Sequence, residues 1–158
     1  MGKHKAGVLT STEVASVFDG ITRAKAVGRI KWKYERRKLI GGIEVQTGIR
    51  RHPGGSLRFY AALPAPDQPG MQYLVSDIPL CRVDVNGIHN GHARQTHVHS
   101  YDSAGSDPAQ MTDIGISLPH GVVPMENDYR EIWEKFAAHV NVELSDNYWT
   151  KLPKEWTP

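Results

Sequence analysis

The stretch Arg29–Glu35, RIKWKYE, alternates without a break: Ile30, Trp32 and Tyr34 fall on one side, Arg29, Lys31, Lys33 and Glu35 on the other. In an extended chain residues i and i+2 share a face, so this period predicts a strand with one buried and one cationic face. Trp32 and Tyr34 run out of phase with the lysines and so face the core. A sheet with one covered side follows from these seven residues.

The segments on either side supply the rest of that sheet. RRKL reads as a turn, IGGIEVQTGI as a second strand weakened or bulged by Gly41–Gly42, and HPGG as a turn before a third strand, SLRFYAAL. PAPDQPG, with three prolines and a glycine, reads as a surface loop. MQYLVS and PLCRVDV follow as short strands, then QTHVHSYD as another, and IGISLP as a brief one. At the N-terminal end Thr10 and Glu13 have capping-box spacing before Val14, Val17, Phe18 and Ile21, which predicts a short helix over about residues 11–24. From Asn127, the run Tyr129, Ile132, Trp133, Phe136, Ala137 and Val140 predicts a long amphipathic helix, with Glu131 and Lys135 paired on its outside. The expected fold is a single α+β domain over 1–158: an antiparallel sheet of about five to seven strands, a short N-terminal helix and a long C-terminal one.

The 158 residues suffice for one core. No apolar run approaches the roughly 18 to 20 residues needed to span a membrane, and no apolar segment follows the basic N-terminus as in a secretory signal. A cytoplasmic protein with no membrane partner is expected. The one cysteine, Cys81, sits among apolar residues and reads as a buried structural thiol. Charge is divided along the chain. Residues 1–60 hold thirteen Lys and Arg against four Asp and Glu, and residues 61–158 hold six against thirteen. Such asymmetry fits an electropositive face for an anionic partner, or two halves of one sheet neutralising each other. For the first case the candidates are Lys31, Lys33, Arg36, Arg37, Lys38, Arg50 and Arg51, with Trp32, Tyr34 or Tyr60 available to stack on unpaired bases where exposed.

Residues 86–102, NGIHNGHARQTHVHSYD, hold four of the eight histidines. On an extended strand His97 and His99 project from one face about 6 to 7 Å apart, close enough to share a metal or a phosphate. A third metal ligand would come from His89, His92, Asp102 or His120. His89 and His92 lie in the loop and read as polar filler. RNA cleavage without a metal requires a base for the 2′-hydroxyl, an acid for the leaving oxygen and a cation for the phosphate. His97 and His99 can serve as base and acid near neutral pH, and Arg82 or Arg94 as the cation. Asp84 can orient a histidine, or form a cross-strand salt bridge to an arginine.

Two family resemblances bear on that stretch. Gly91, five residues, then His97-x-His99 is similar to the opening of the first cupin motif, which would make both histidines ligands of a divalent metal in a barrel. The motif's glutamate is missing, with Asp102 following after only two residues, and no second motif surrounds His120. The second resemblance covers roughly residues 28–142. PLCRVDVNGIHN, THVHSYD, GISLP and the final helix, in that order, resemble small bacterial and prophage proteins related to TumE-like toxins of toxin–antitoxin systems. Arg82 and Asp84 match the family's Arg-x-Asp strand, Gly87 and His89 its loop, and His97, His99 and Asp102 its second strand. The loop itself departs from the family's Pro-containing form. The resemblance implies a toxin-like or mobile-element protein that acts on or binds RNA, with a histidine-dependent ribonuclease needing no cofactor as its enzymatic form, and a cognate antitoxin or another protein as partner. The same residues are compatible with a non-enzymatic nucleic-acid- or protein-binding module, such as a phage-encoded inhibitor, in which the histidines are structural.

Overall fold

The computed structural model describes residues 8–89, 92–100, 109–110 and 114–158, with only the backbone considered for 88–89, 92–95 and 109–110. The first described element is a helix, α1 (Ser11–Phe18). Five long strands follow as a meander: β1 (Ala24–Glu35), β2 (Lys38–Gln46), β3 (Gly54–Ala62), β4 (Ala65–Val75) and β5 (Ile78–His89). After these come β6 (His92–Ser100), β7 (Ala109–Gln110), α2 (Glu126–His139) and β8 (Val142–Glu143). The eight strands form one sheet in the order β7-β6-β5-β4-β3-β2-β1-β8.

The α+β class stands, with two differences in the sheet. It has eight strands because two-residue segments add an edge at each side, and it is mixed because β8 pairs parallel to β1. Every other pairing is antiparallel. The C-terminal helix runs 14 residues. The N-terminal helix stops earlier than its apolar pattern suggests. Gly20 turns left-handed at φ 69°, and the Asn141 amide donates to the Val17 and Phe18 carbonyls.

PAPDQPG is not a loop but the first half of β4, after a turn at Leu63–Pro64. The ladder to β3 breaks between Ala62↔Ala65 and Tyr60↔Gly70, so Pro66 and Pro69 sit where no ladder N–H is required. IGISLP lies outside the strands of the described sheet. Its alternation reflects burial of Ile116 and Leu118.

One inner row fixes the register. Trp32, Gly41, Phe59, Met71, Val83 and Val98 stand opposite one another across six strands. The Trp32 indole lies over Gly41 and meets Phe59 edge to face at 5.5 Å. Phe59 in turn packs against Tyr129 and Trp133 of α2, so the helix covers this face. Because side chains alternate, the residues flanking each member of the row are committed to the other face. No helix among the described residues is long and apolar enough to cross a membrane.

The two glycines of β2 differ in consequence. A Cβ at Gly41 would come within 2.5 Å of the Trp32 ring, whereas one at Gly42 meets nothing closer than 3.9 Å. Gly41→Ala is expected to cost about 1–3 kcal/mol in denaturant unfolding through overpacking. Gly42→Ala should leave stability unchanged or raised, and equal losses in both would contradict this packing.

Candidate functional site

The face turned away from α2 carries two parallel rows. One runs Lys31, Gly42, Arg58, Gln72, Arg82, His99 from β1 to β6; the next runs Lys33, Ile40, Tyr60, Gly70, Asp84, His97. Residues directly opposite share a face, so the basic first strand and the His-x-His strand point the same way. They lie at opposite ends of these rows.

At the β5–β6 end, His97, His99, Asp84 and Arg82 form one cluster. Arg82 Nε donates to Asp84 Oδ2 at 3.1 Å, and Arg82 Nη2 lies 3.1 Å from His99 Nε2. A guanidinium only donates, so that contact is a hydrogen bond when Nε2 is unprotonated and the imidazole neutral. Asp84 Oδ2 is 3.5 Å from the same nitrogen. The Arg82–Asp84 pair is thus formed within one strand rather than across strands. His97 is 1% exposed and His99 6%, while the Arg82 side chain retains 38%. The arginine therefore faces solvent and the imidazoles lie beneath.

Tyr60 completes the cluster and was considered in the sequence only as a base-stacking residue. Its hydroxyl donates to Asp84 Oδ1 at 3.1 Å from two strands away. Gly70 makes this reach possible, because a Cβ between the two would overlap the phenol ring. Burial, and then the Asp84 carboxylate, push the phenol up to about 12. The bulge after Asp84, with Asn86 at φ 54°, ends the regular ladder beside the cluster, and the Asn86 amide is anchored by the Asp67 and Leu118 carbonyls.

Among the described residues, no three His, Cys, Asp or Glu side chains are placed to hold a metal ion. The Arg82 cation also occupies the Nε2 side of His99, which directs that nitrogen's lone pair into a hydrogen bond. The sheet order is linear, with no described pair closing it into a barrel. Asp102 and the side chains of His89, His92 and Arg94 lie outside the described residues, and His120 is exposed in a turn.

The seven cations singled out in the sequence do not form one patch. Lys31, Lys33 and Lys38 belong to the outer face, and Arg36 and Arg37 form the β1–β2 turn. Arg50 and Arg51 sit at the opposite end of β2, roughly 30 Å away along nine residues of strand. Arg51 is committed to α1: it donates to Glu13 and to the Val8 carbonyl and holds the Glu13 carboxyl down at about 2. Lys33 is paired with Glu35 at 2.8 Å. By contrast Arg29, Lys31 and Arg58 are exposed, and none has an ion pair among the described residues. Arg58 follows the alternation of SLRFYAAL, which places it on the outer face opposite Gly42. Cys81 is buried, as expected of a structural thiol.

No protein-family model matches the chain, and the searches of curated proteins and of solved structures returned no match.

The Tyr60–Asp84 bond has a spectroscopic signature. The phenolate absorbance that distinguishes wild type from Tyr60→Phe is expected to titrate near pH 12, against an ordinary value of 10. Asp84→Asn should lower that midpoint. Since the folded value is raised, the contribution to stability is complete below pH 10 and lost as pH rises toward 12. A wild-type midpoint near 10 would mean that neither burial nor Asp84 acts on Tyr60.

Proposed function

We propose that this protein binds single-stranded RNA along the outer sheet face, with the strand of RNA crossing the β-strands from β1 toward β5. The observation that supports this most is the row Lys31, Arg58, Arg82, which sets a cation on every second strand, about 10 Å apart by sheet geometry. Two of these three cations, with Arg29 beside them, have no ion pair among the described residues and so remain available to phosphates. Tyr60, 43% exposed in the adjacent row, offers a ring on which a base can stack. The likeness to TumE-like toxins points toward the same class of ligand, and within this reading the protein is a cytoplasmic, toxin-like or mobile-element product whose protein partner would be an antitoxin.

A second reading, histidine-dependent cleavage of the bound RNA, has the support of the Tyr60–Asp84–Arg82–His99 cluster on the same face. Arg82 would stabilise phosphate, and His97 and His99 would move protons, from positions that are buried in this structure. The two readings separate on labelled RNA. Under binding alone the RNA stays intact on incubation with wild type. Under cleavage it is cut, and the cutting disappears in His97→Ala or His99→Ala.

Binding should weaken linearly in log salt, and each phosphate-contacting cation removed should flatten the slope by about 0.7. Arg58→Glu and Lys31→Glu are expected to show this in fluorescence anisotropy with a labelled oligonucleotide, and Arg50→Glu, at the far end of β2, should not. Equal loss in all three would point to diffuse attraction and not to the row.

A further inference from the structure

Gly42 stands opposite Lys31, where the β1–β2 ladder resumes after its bulge, and no side chain of the fold fills the space over it. Its backbone is not in the left-handed region, and the nearest atom to a Cβ there would be the Leu57 carbonyl oxygen at 3.9 Å. Gly41 makes room for Trp32 and Gly70 for Tyr60. A strand glycine goes with a bulge of this kind, and it also leaves room for a ligand or another backbone to come close.

The bulge of β1 and the missing side chain at Gly42 together leave a depression of about 430 Å³ on the outer face. The register explains its walls. Lys31 and Arg58 stand opposite Gly42 on either side, and Glu44 and Ser56 face each other one step along. Arg29 enters from the interrupted part of β1, where Gly28 at φ 77° swings the strand away and Ile30 N–H bonds instead to the Tyr148 carbonyl. Three cations therefore converge with one carboxylate and one hydroxyl. Glu44 lines the depression and has no ion pair among the described residues, so its carboxylate does not neutralise a wall residue.

We infer that this depression is a ribonucleotide subsite, in which Arg29, Lys31 and Arg58 hold a phosphate while Glu44 and Ser56 hydrogen-bond the ribose 2′-hydroxyl. A purely phosphate-directed site gains nothing from a carboxylate. A sugar hydroxyl is the donor that a carboxylate accepts from, and the 2′-hydroxyl is the group that distinguishes RNA from DNA. The inference rests on the RNA-binding reading above and adds to it a location and a basis for discrimination.

The test measures binding of a twelve-nucleotide oligouridylate, its deoxyuridylate counterpart and 5′-uridine monophosphate to wild type, Gly42→Leu and Glu44→Gln. The fold of each variant is checked by thermal unfolding. Wild type is expected to bind the RNA more tightly than the DNA. Gly42→Leu should lose roughly tenfold or more on RNA, the loss of about one charge-assisted contact. Glu44→Gln, which leaves the packing intact, should narrow the RNA–DNA difference by weakening RNA alone. If both variants bind RNA as wild type does while Arg58→Glu does not, the face binds RNA but the subsite is overturned. If no oligonucleotide binds wild type, the RNA-binding reading fails. In that case Gly42→Leu-sensitive binding of the mononucleotide would retain the subsite, and its absence would overturn that too.

Discussion

The arrangement of this molecule depends on Trp32 lying over Gly41. The indole has space only because β2 offers no side chain at that point, and it reaches across the missing Cβ to Phe59 on β3, which carries the contact on to Tyr129 and Trp133 of α2. Its Nε1 donates to the Thr150 carbonyl, tying the C-terminal tail to the same point. A slip of one residue between β1 and β2 would turn Trp32 into solvent and the lysines into the core. The aromatic packing thus fixes the inner row, and alternation then assigns Lys31, Gly42 and Arg58 to the outside.

Three glycines of this sheet, Gly41, Gly70 and Gly42, differ in what their missing side chains make room for. Gly41 and Gly70 each accommodate an aromatic ring, one facing the core and one the outer surface. The second allows Tyr60 to span a strand and meet Asp84, so that a hydroxyl from β3 and a guanidinium from β5 share one carboxylate. Gly42 accommodates nothing in the protein itself, and its surroundings are cationic.

Much of this was readable from the sequence where periodicity was clean. The alternation of RIKWKYE gave the buried and cationic faces of β1, and Thr10 with Glu13 gave the start of α1, with both reciprocal hydrogen bonds present. Arg82, Asp84, His97 and His99 were singled out in the sequence, and the register does bring them together. What escaped were properties of pairing rather than of local pattern. The prolines of β4 look like a loop until the ladder is seen to be interrupted there. The two-residue β8 has too few residues to carry a period. The basic first third looked like one surface, but a hairpin separates residues close in sequence by the length of a strand. Tyr60 and Asp84, 24 positions apart, become partners only once Gly70 is known to stand between them.

The claim that the outer face is the binding surface is tested most directly by mapping amide chemical-shift changes on addition of a short single-stranded RNA. The expected result is a set of perturbations centred on Lys31, Gly42, Arg58 and Gln72, extending toward Arg82, with Tyr129, Trp133 and Phe136 of α2 unchanged. Perturbations concentrated on α2 or at the Arg50 end of the sheet, or none at low salt, would contradict it.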